Sequence, residues 1–80
     1  MNNLYIIQEV LSDYTAGMAV IAAPSLERCK ELFIEEFVDD SYDETKFVPE
    51  FDSAIEGGYY KVIEGVDHIE GVVSYVYGGG

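Results

Sequence analysis

The stretch Met18–Phe33, MAVIAAPSLERCKELF, reads as a strand that hands over to a helix. Met18–Ala23 is apolar throughout, and its small alanines fit a strand with a helix packed closely over it. Pro24-Ser25 then open the helix. Ser25 is a good N-cap, and Glu27 suits the first turn. Leu26, Cys29, Leu32, Phe33 and Phe37 recur at spacings of three and four, which makes one apolar face. That helix ends near Val38. Cys29 sits in the apolar face, so it reads as a core residue, and no histidine lies near it in sequence to raise its thiolate fraction.

Working outward, Leu4–Leu11, LYIIQEVL, reads as a strand. Strand alternation sends Leu4, Ile6, Gln8 and Val10 to one side and Tyr5, Ile7, Glu9 and Leu11 to the other. SDYTAG, Ser12–Gly17, is a hairpin connection between this strand and Met18–Ala23. Downstream, DDSYDETKF is a polar, acidic connection from Asp39. PEFDSAIEGG is a short second helix, with Pro49 at its first position and Gly57 past its end. Tyr59–Gly65, YYKVIEG, is a third strand, VDHI a turn, and Gly71–Tyr77, GVVSYVY, a fourth strand. The order β-β-α-(short α)-β-β predicts an α+β fold. It is a single four-stranded, mainly antiparallel sheet with one main helix on one face, and residues 1–80 form one domain.

Nearly half of the 80 residues are apolar, too many for a disordered chain of this charge. One cysteine excludes an internal disulfide framework and fits a reducing compartment. No apolar run is long enough to span a membrane and the first residues do not resemble a signal peptide, so the expected location is the cytoplasm.

Sixteen acids face four bases, for a formal net charge of −12. Such a chain repels nucleic acid and anionic lipid, and its natural partners are basic surfaces. Nine of the acids fall between Glu35 and Glu56: Glu35, Glu36, Asp39, Asp40, Asp43, Glu44, Glu50, Asp52 and Glu56. Lys46 is the only base in that interval. The main helix therefore carries Arg28 and Lys30 early and Glu35, Glu36, Asp39 and Asp40 at or beyond its end. The helix dipole favours the opposite arrangement. A departure of this kind marks a candidate functional patch. Five tyrosines, Tyr5, Tyr59, Tyr60, Tyr75 and Tyr77, lie on predicted strands. One helix covers one sheet face, so some of them should stand on the open face, with Tyr59 and Tyr75 as binding anchors.

In length, acidity, α+β build and absence of catalytic motifs the chain resembles the small acidic proteins that phages use to block host defence, including anti-CRISPR proteins and other DNA mimics. The resemblance implies a non-enzymatic inhibitor, free of cofactors. It would occupy a basic surface of a nucleic-acid-binding protein or complex through its carboxylates.

The ending SYVYGGG supports a second comparison. With AAPSLERCKELF at the strand-to-helix entry and HIEGVVSYVYGGG as last strand and tail, the chain resembles ubiquitin-like sulfur carriers. These are β-grasp proteins of β-β-α-β-β order with a terminal Gly-Gly. That resemblance implies a carrier terminus at Gly79 and Gly80, threaded into an adenylating enzyme. The chain departs from it in having three glycines directly after Tyr77 and a longer, more acidic middle.

Other constellations are weaker. From Asp39, oxygen-bearing residues fall at loop positions one, three, five and twelve (Asp39, Ser41, Asp43, Glu50). Position six is Glu44, where an EF-hand needs glycine. His68, the one histidine, sits in a predicted turn, and one histidine with one cysteine implies no zinc site. EGGYY lacks the spacing and the lysine of a phosphate loop. No nucleophile stands with a base, so no enzymatic site is expected.

Overall fold

A computed structural model of the chain describes residues 1–12 and 15–78. Its elements run β1 (Asn2–Val10), β2 (Gly17–Ala23), α1 (Leu26–Phe37), α2 (Ser41–Glu56), β3 (Tyr60–Val66) and β4 (Gly71–Val76). The α+β class and the element order agree with the sequence reading. The four strands form one sheet in the order β3-β1-β2-β4, and every neighbouring pair is antiparallel.

The segment VDHI does not join neighbouring strands. It carries the chain from one edge of the sheet to the other, past the start of β1 and the end of β2. Three interstrand gaps of about 4.8 Å need roughly 14 Å, and the five Cα steps from Val66 to Gly71 can span about 18 Å. Asn2 Nδ2 donates to His68 O at 2.9 Å and holds the crossing against the end of β1.

Strict alternation along β1 fails at Glu9. The register against β2 shifts between Gln8 and Val10, and Glu9 and Leu11 adopt φ of 61° and 53°. The bulge turns both Val10 and Leu11 into the core, where simple alternation sent them to opposite faces. Gly17, opposite the bulge, has no room for a side chain. A Cβ there would press on the carbonyl oxygens of Val10 and Val76.

Both helices pack on the same sheet face, α1 over β2 and β4, α2 over β1. Tyr5, Ile7, Ala19 and Ile21 meet Cys29, Leu32, Phe33 and Phe37 of α1 and Phe51 and Ala54 of α2. Phe33 is fully buried, its ring 5.1 Å from that of Phe37 and 5.0 Å from that of Phe51. Burying such a side chain contributes about 2–3 kcal/mol. Burial also pushes the Cys29 thiol up to about 12, so it is an inert core group, as its place in the apolar face predicted.

The second helix is not short. It has 16 residues and takes in the stretch read as a polar connection. Asp40 caps it, its Oδ1 accepting from Asp43 N at 2.9 Å, while Asp43 Oδ2 accepts from Asp39 N at 3.2 Å. Pro49 therefore lies inside the helix rather than at its first position. The helix tolerates it there, although it removes the bond to the Thr45 carbonyl. The end is a glycine cap: Gly58, with φ 75°, lets Tyr59 N reach Ala54 O at 2.8 Å and Gly58 N reach Ile55 O at 3.2 Å. Among the described residues no helix is long and apolar enough to cross a membrane.

Candidate acidic docking surface

The acids between Glu35 and Glu56 do not form one continuous patch. They divide along α2, which is about 24 Å long. Glu35, Glu36, Asp39, Asp40, Asp43 and Glu44 gather where α1 ends and α2 begins. Glu50, Asp52 and Glu56 lie in the second half of α2.

The dipole conflict read from the sequence is mostly resolved by the second helix. Asp40 is its N-cap and Asp43 and Glu44 are in its first turn, where carboxylates face the positive end of the dipole. Glu35 and Glu36, in the last turn of α1, and Glu56, the last residue of α2, remain at an unfavourable end. Early Arg28 is not misplaced either. Its guanidinium donates to Glu70 from Nε at 2.9 Å and to Glu31 from Nη1 at 3.0 Å, with Glu35 at 3.9 Å. Those partners, Glu70 first and Glu31 next, push the guanidinium further toward its charged form. The pair with Glu70 ties α1 to the crossing before β4.

Lys30 reaches Asp52 at 2.7 Å and bridges the two helices. Lys46 lies 5.5 Å from the Phe47 ring centre, and Lys61 is on β3. None of the four bases forms an ion pair with Glu36, Asp39 or Asp43 among the described residues, although Lys46 stands one turn along α2 from Asp43. Glu36 and Asp39 are exposed and Asp43 is half-buried. One oxygen of Glu50, Oε1, is shielded from solvent without a hydrogen-bond partner. Glu44 and Glu56 are exposed.

The tyrosines are not where the open-face expectation put them. Tyr5 and Tyr60 lie opposite Val62 and Ile7 on the helix-covered side, and Tyr5 is buried. Tyr75 lies opposite Ala19 on that same side, its ring 5.1 Å from Phe37 and 5.5 Å from Tyr77. The covered face, not the open one, takes the aromatic side chains because the sheet extends past the rim of α1. Tyr59 is half-exposed at the turn from α2 into β3, its ring beside Gly57.

Tyr75 and Tyr77 bring the site together. Their rings close against Phe37 at the end of α1 and leave about half of each tyrosine exposed. The Tyr77 phenol is pushed up, first by burial, then by Tyr75 and by the carboxylates of Asp39, Asp43 and Glu36. Those three acids and two tyrosines form one surface, drawn from α1, α2 and the end of β4. The sequence reading places Tyr77 in the fourth strand; β4 stops at Val76, and nothing in the neighbours of Tyr77 forecast that this end of the chain would run beside α1.

Among the described residues no group of three or more histidine, cysteine or acidic side chains is arranged to hold a metal ion. The EF-hand spacing is lost because Ser41–Glu50 is helical. An open groove of about 590 Å³ lies between the start of α1 and the end of α2, lined by Leu26, Lys30, Phe51, Asp52 and Ile55 among others. Gly78 is buried, its N–H donating to Leu11 O at 2.9 Å, and a Cβ there would collide with the Thr15 carbonyl. Gly79 and Gly80, the expected carrier terminus, lie outside the described residues. Comparison with protein-family models, with curated proteins and with solved structures returns no match to this chain.

Proposed function

We propose that this protein is a non-enzymatic inhibitor that docks on a basic surface of a nucleic-acid-binding protein or complex, in the manner of the anti-CRISPR and DNA-mimic proteins it resembles. The observation that carries the reading is the convergence of Glu36, Asp39 and Asp43 on Tyr77, whose ring packs on Tyr75, with none of those acids paired to a base among the described residues. Carboxylates fixed on helix ends offer a basic groove what phosphates offer it, and docking them releases the counterions held on both surfaces. The tyrosines supply rigid, amphipathic area at low entropic cost. The site of action under this reading is the host cytoplasm.

The test is capture from host lysate by the tagged full chain and by a Glu36→Lys, Asp39→Lys variant. These two positions are chosen because neither side chain caps a helix. The wild type should retain a nucleic-acid-binding complex, abolish its binding to nucleic acid, and release it as salt rises. The double variant should lose the complex while melting at the same temperature. Capture that survives the charge reversal, or a captured complex that still binds nucleic acid, sinks the reading.

A further inference from the structure

We propose that the uncovered face of the sheet is a self-association surface, and that its occupant is a second copy of this chain. The helices cover only one side. Most ladder partners on the other side are apolar, among them Leu4, Ile6, Met18, Val20, Ile63 and Val76. Ile63 and Val76 are 48% and 58% exposed. They stand on β3 and β4, the opposite edges of the sheet, so the apolar surface runs the full width of the face.

The charge pattern says what can cover it. In a chain of net charge −12, no acid occupies a ladder position on this face. Its polar ladder positions include Gln8, Lys61 and Ser74, and Glu9 stands at the rim, in the bulge. A basic partner would find one carboxylate here, Glu9 at the rim, and an acidic one would find a single lysine, so neither meets a charged patch. The surface matches an uncharged aliphatic one, and the same face of a second copy is such a surface. A two-fold axis through the sheet makes the contact self-complementary.

The size is adequate. Four strands about 4.8 Å apart, six residues long at about 3.3 Å per residue, give a face near 19 × 20 Å. Stacking two such faces at the usual separation of about 10 Å removes on the order of 1,000 Å² of surface, at the lower bound for a specific interface. The helices then form the outer layers. Their acids are separated by two sheets, farther than the roughly 8 Å over which charge acts at physiological salt. The contact goes beyond the docking function and is independent of it. Salt should strengthen this association or leave it unchanged, whereas it weakens docking to a basic partner.

Sedimentation equilibrium of the full chain from about 1 to 200 µM tests it, with Ile63→Glu, Val76→Glu and, on the helix side, Ser53→Glu. Both apolar positions are half-exposed in the single chain, so the variants should fold, and circular dichroism checks that they do. The wild type and Ser53→Glu should dimerise alike, and each of the other variants should dissociate at least roughly tenfold more readily. A wild type that stays monomeric over the range overturns the proposal. So does a folded Ile63→Glu chain that dimerises like the wild type, because that result moves the contact to the free edge of β4 or to the helices.

Discussion

Replacing Asp40 by alanine separates a structural carboxylate from a functional one. Asp40 looks, in sequence, like one more member of an acidic run. In the fold its Oδ1 accepts the Asp43 N–H at 2.9 Å and closes the first turn of α2. Removing an N-cap of this kind costs about 1 kcal/mol, within a range of roughly 0.5–2. Here the same change also leaves the Asp43 side chain as the only link back to Asp39 N. In a domain of this size about 1 kcal/mol lowers the melting temperature by roughly 4–8 °C. Asp40→Asn keeps the accepting oxygen and should lose little of that. Asp39→Ala, whose side chain makes no hydrogen bond or ion pair among the described residues, should stay within about 0.5 kcal/mol of the wild type. Thermal unfolding of the three variants, followed at 222 nm, reads all of this. If Asp40→Ala melts with the wild type, or if Asp40→Asn falls as far as Asp40→Ala, the carboxylate is not acting as a cap. The second helix would then need another start.

Phe33→Ala should be the most damaging single change, because it empties the point where Phe37 and Phe51 meet. A loss of about 3–5 kcal/mol is expected in urea melts, enough to unfold much of a domain this small. Cys29 should resist thiol reagents near neutral pH until denaturant exposes it. Its thiol also fixes a sign for the alkaline limb of stability. The folded pKa of about 12 lies above the ordinary 9.0, so the folded state holds the proton longer. The contribution is full below about pH 9 and falls away as pH rises toward about 12. Urea melts across that window should show a steeper loss for the wild type than for Cys29→Ala, and equal slopes would contradict the assignment.

Much of this architecture is legible in the residues. Ser25 starts α1 and the three-four spacing from Leu26 to Phe37 sets its buried side, as found. The second helix was half-legible. Phe47, Phe51, Ala54 and Ile55 carry helical spacing, but Pro49 in their midst imitates a helix start, and the polar residues from Ser41 to Lys46 hide the turn that precedes it. The signal that finds the true start is Asp40 followed three residues later by Asp43, a capping pattern with aspartate in place of the usual glutamate. Sheet order was not legible. Two strands separated by VDHI suit a hairpin locally, and only the competition for the edges of the β1–β2 pair sends them apart. The candidate surface depended on both of these points. Asp39 and Asp43 are brought together by the α2 cap, and Tyr75 and Tyr77 join them only because β4 lies beside β2, under α1.

The placement of β3 and β4 on opposite edges also dictates an order of assembly. The first hairpin and both helices emerge from the ribosome with two bare strand edges, and both are paired only by the strands that follow α2. Partners such as Tyr5 and Val62, or Ala19 and Tyr75, are far apart along the chain, so this closure is an entropically slow step. Until it occurs, the intermediate exposes a strand template on each side. The strands that follow α2 cover the edges of the apolar β1–β2 pair, and a nascent chain arrested before Tyr59 should be the most aggregation-prone form this protein passes through.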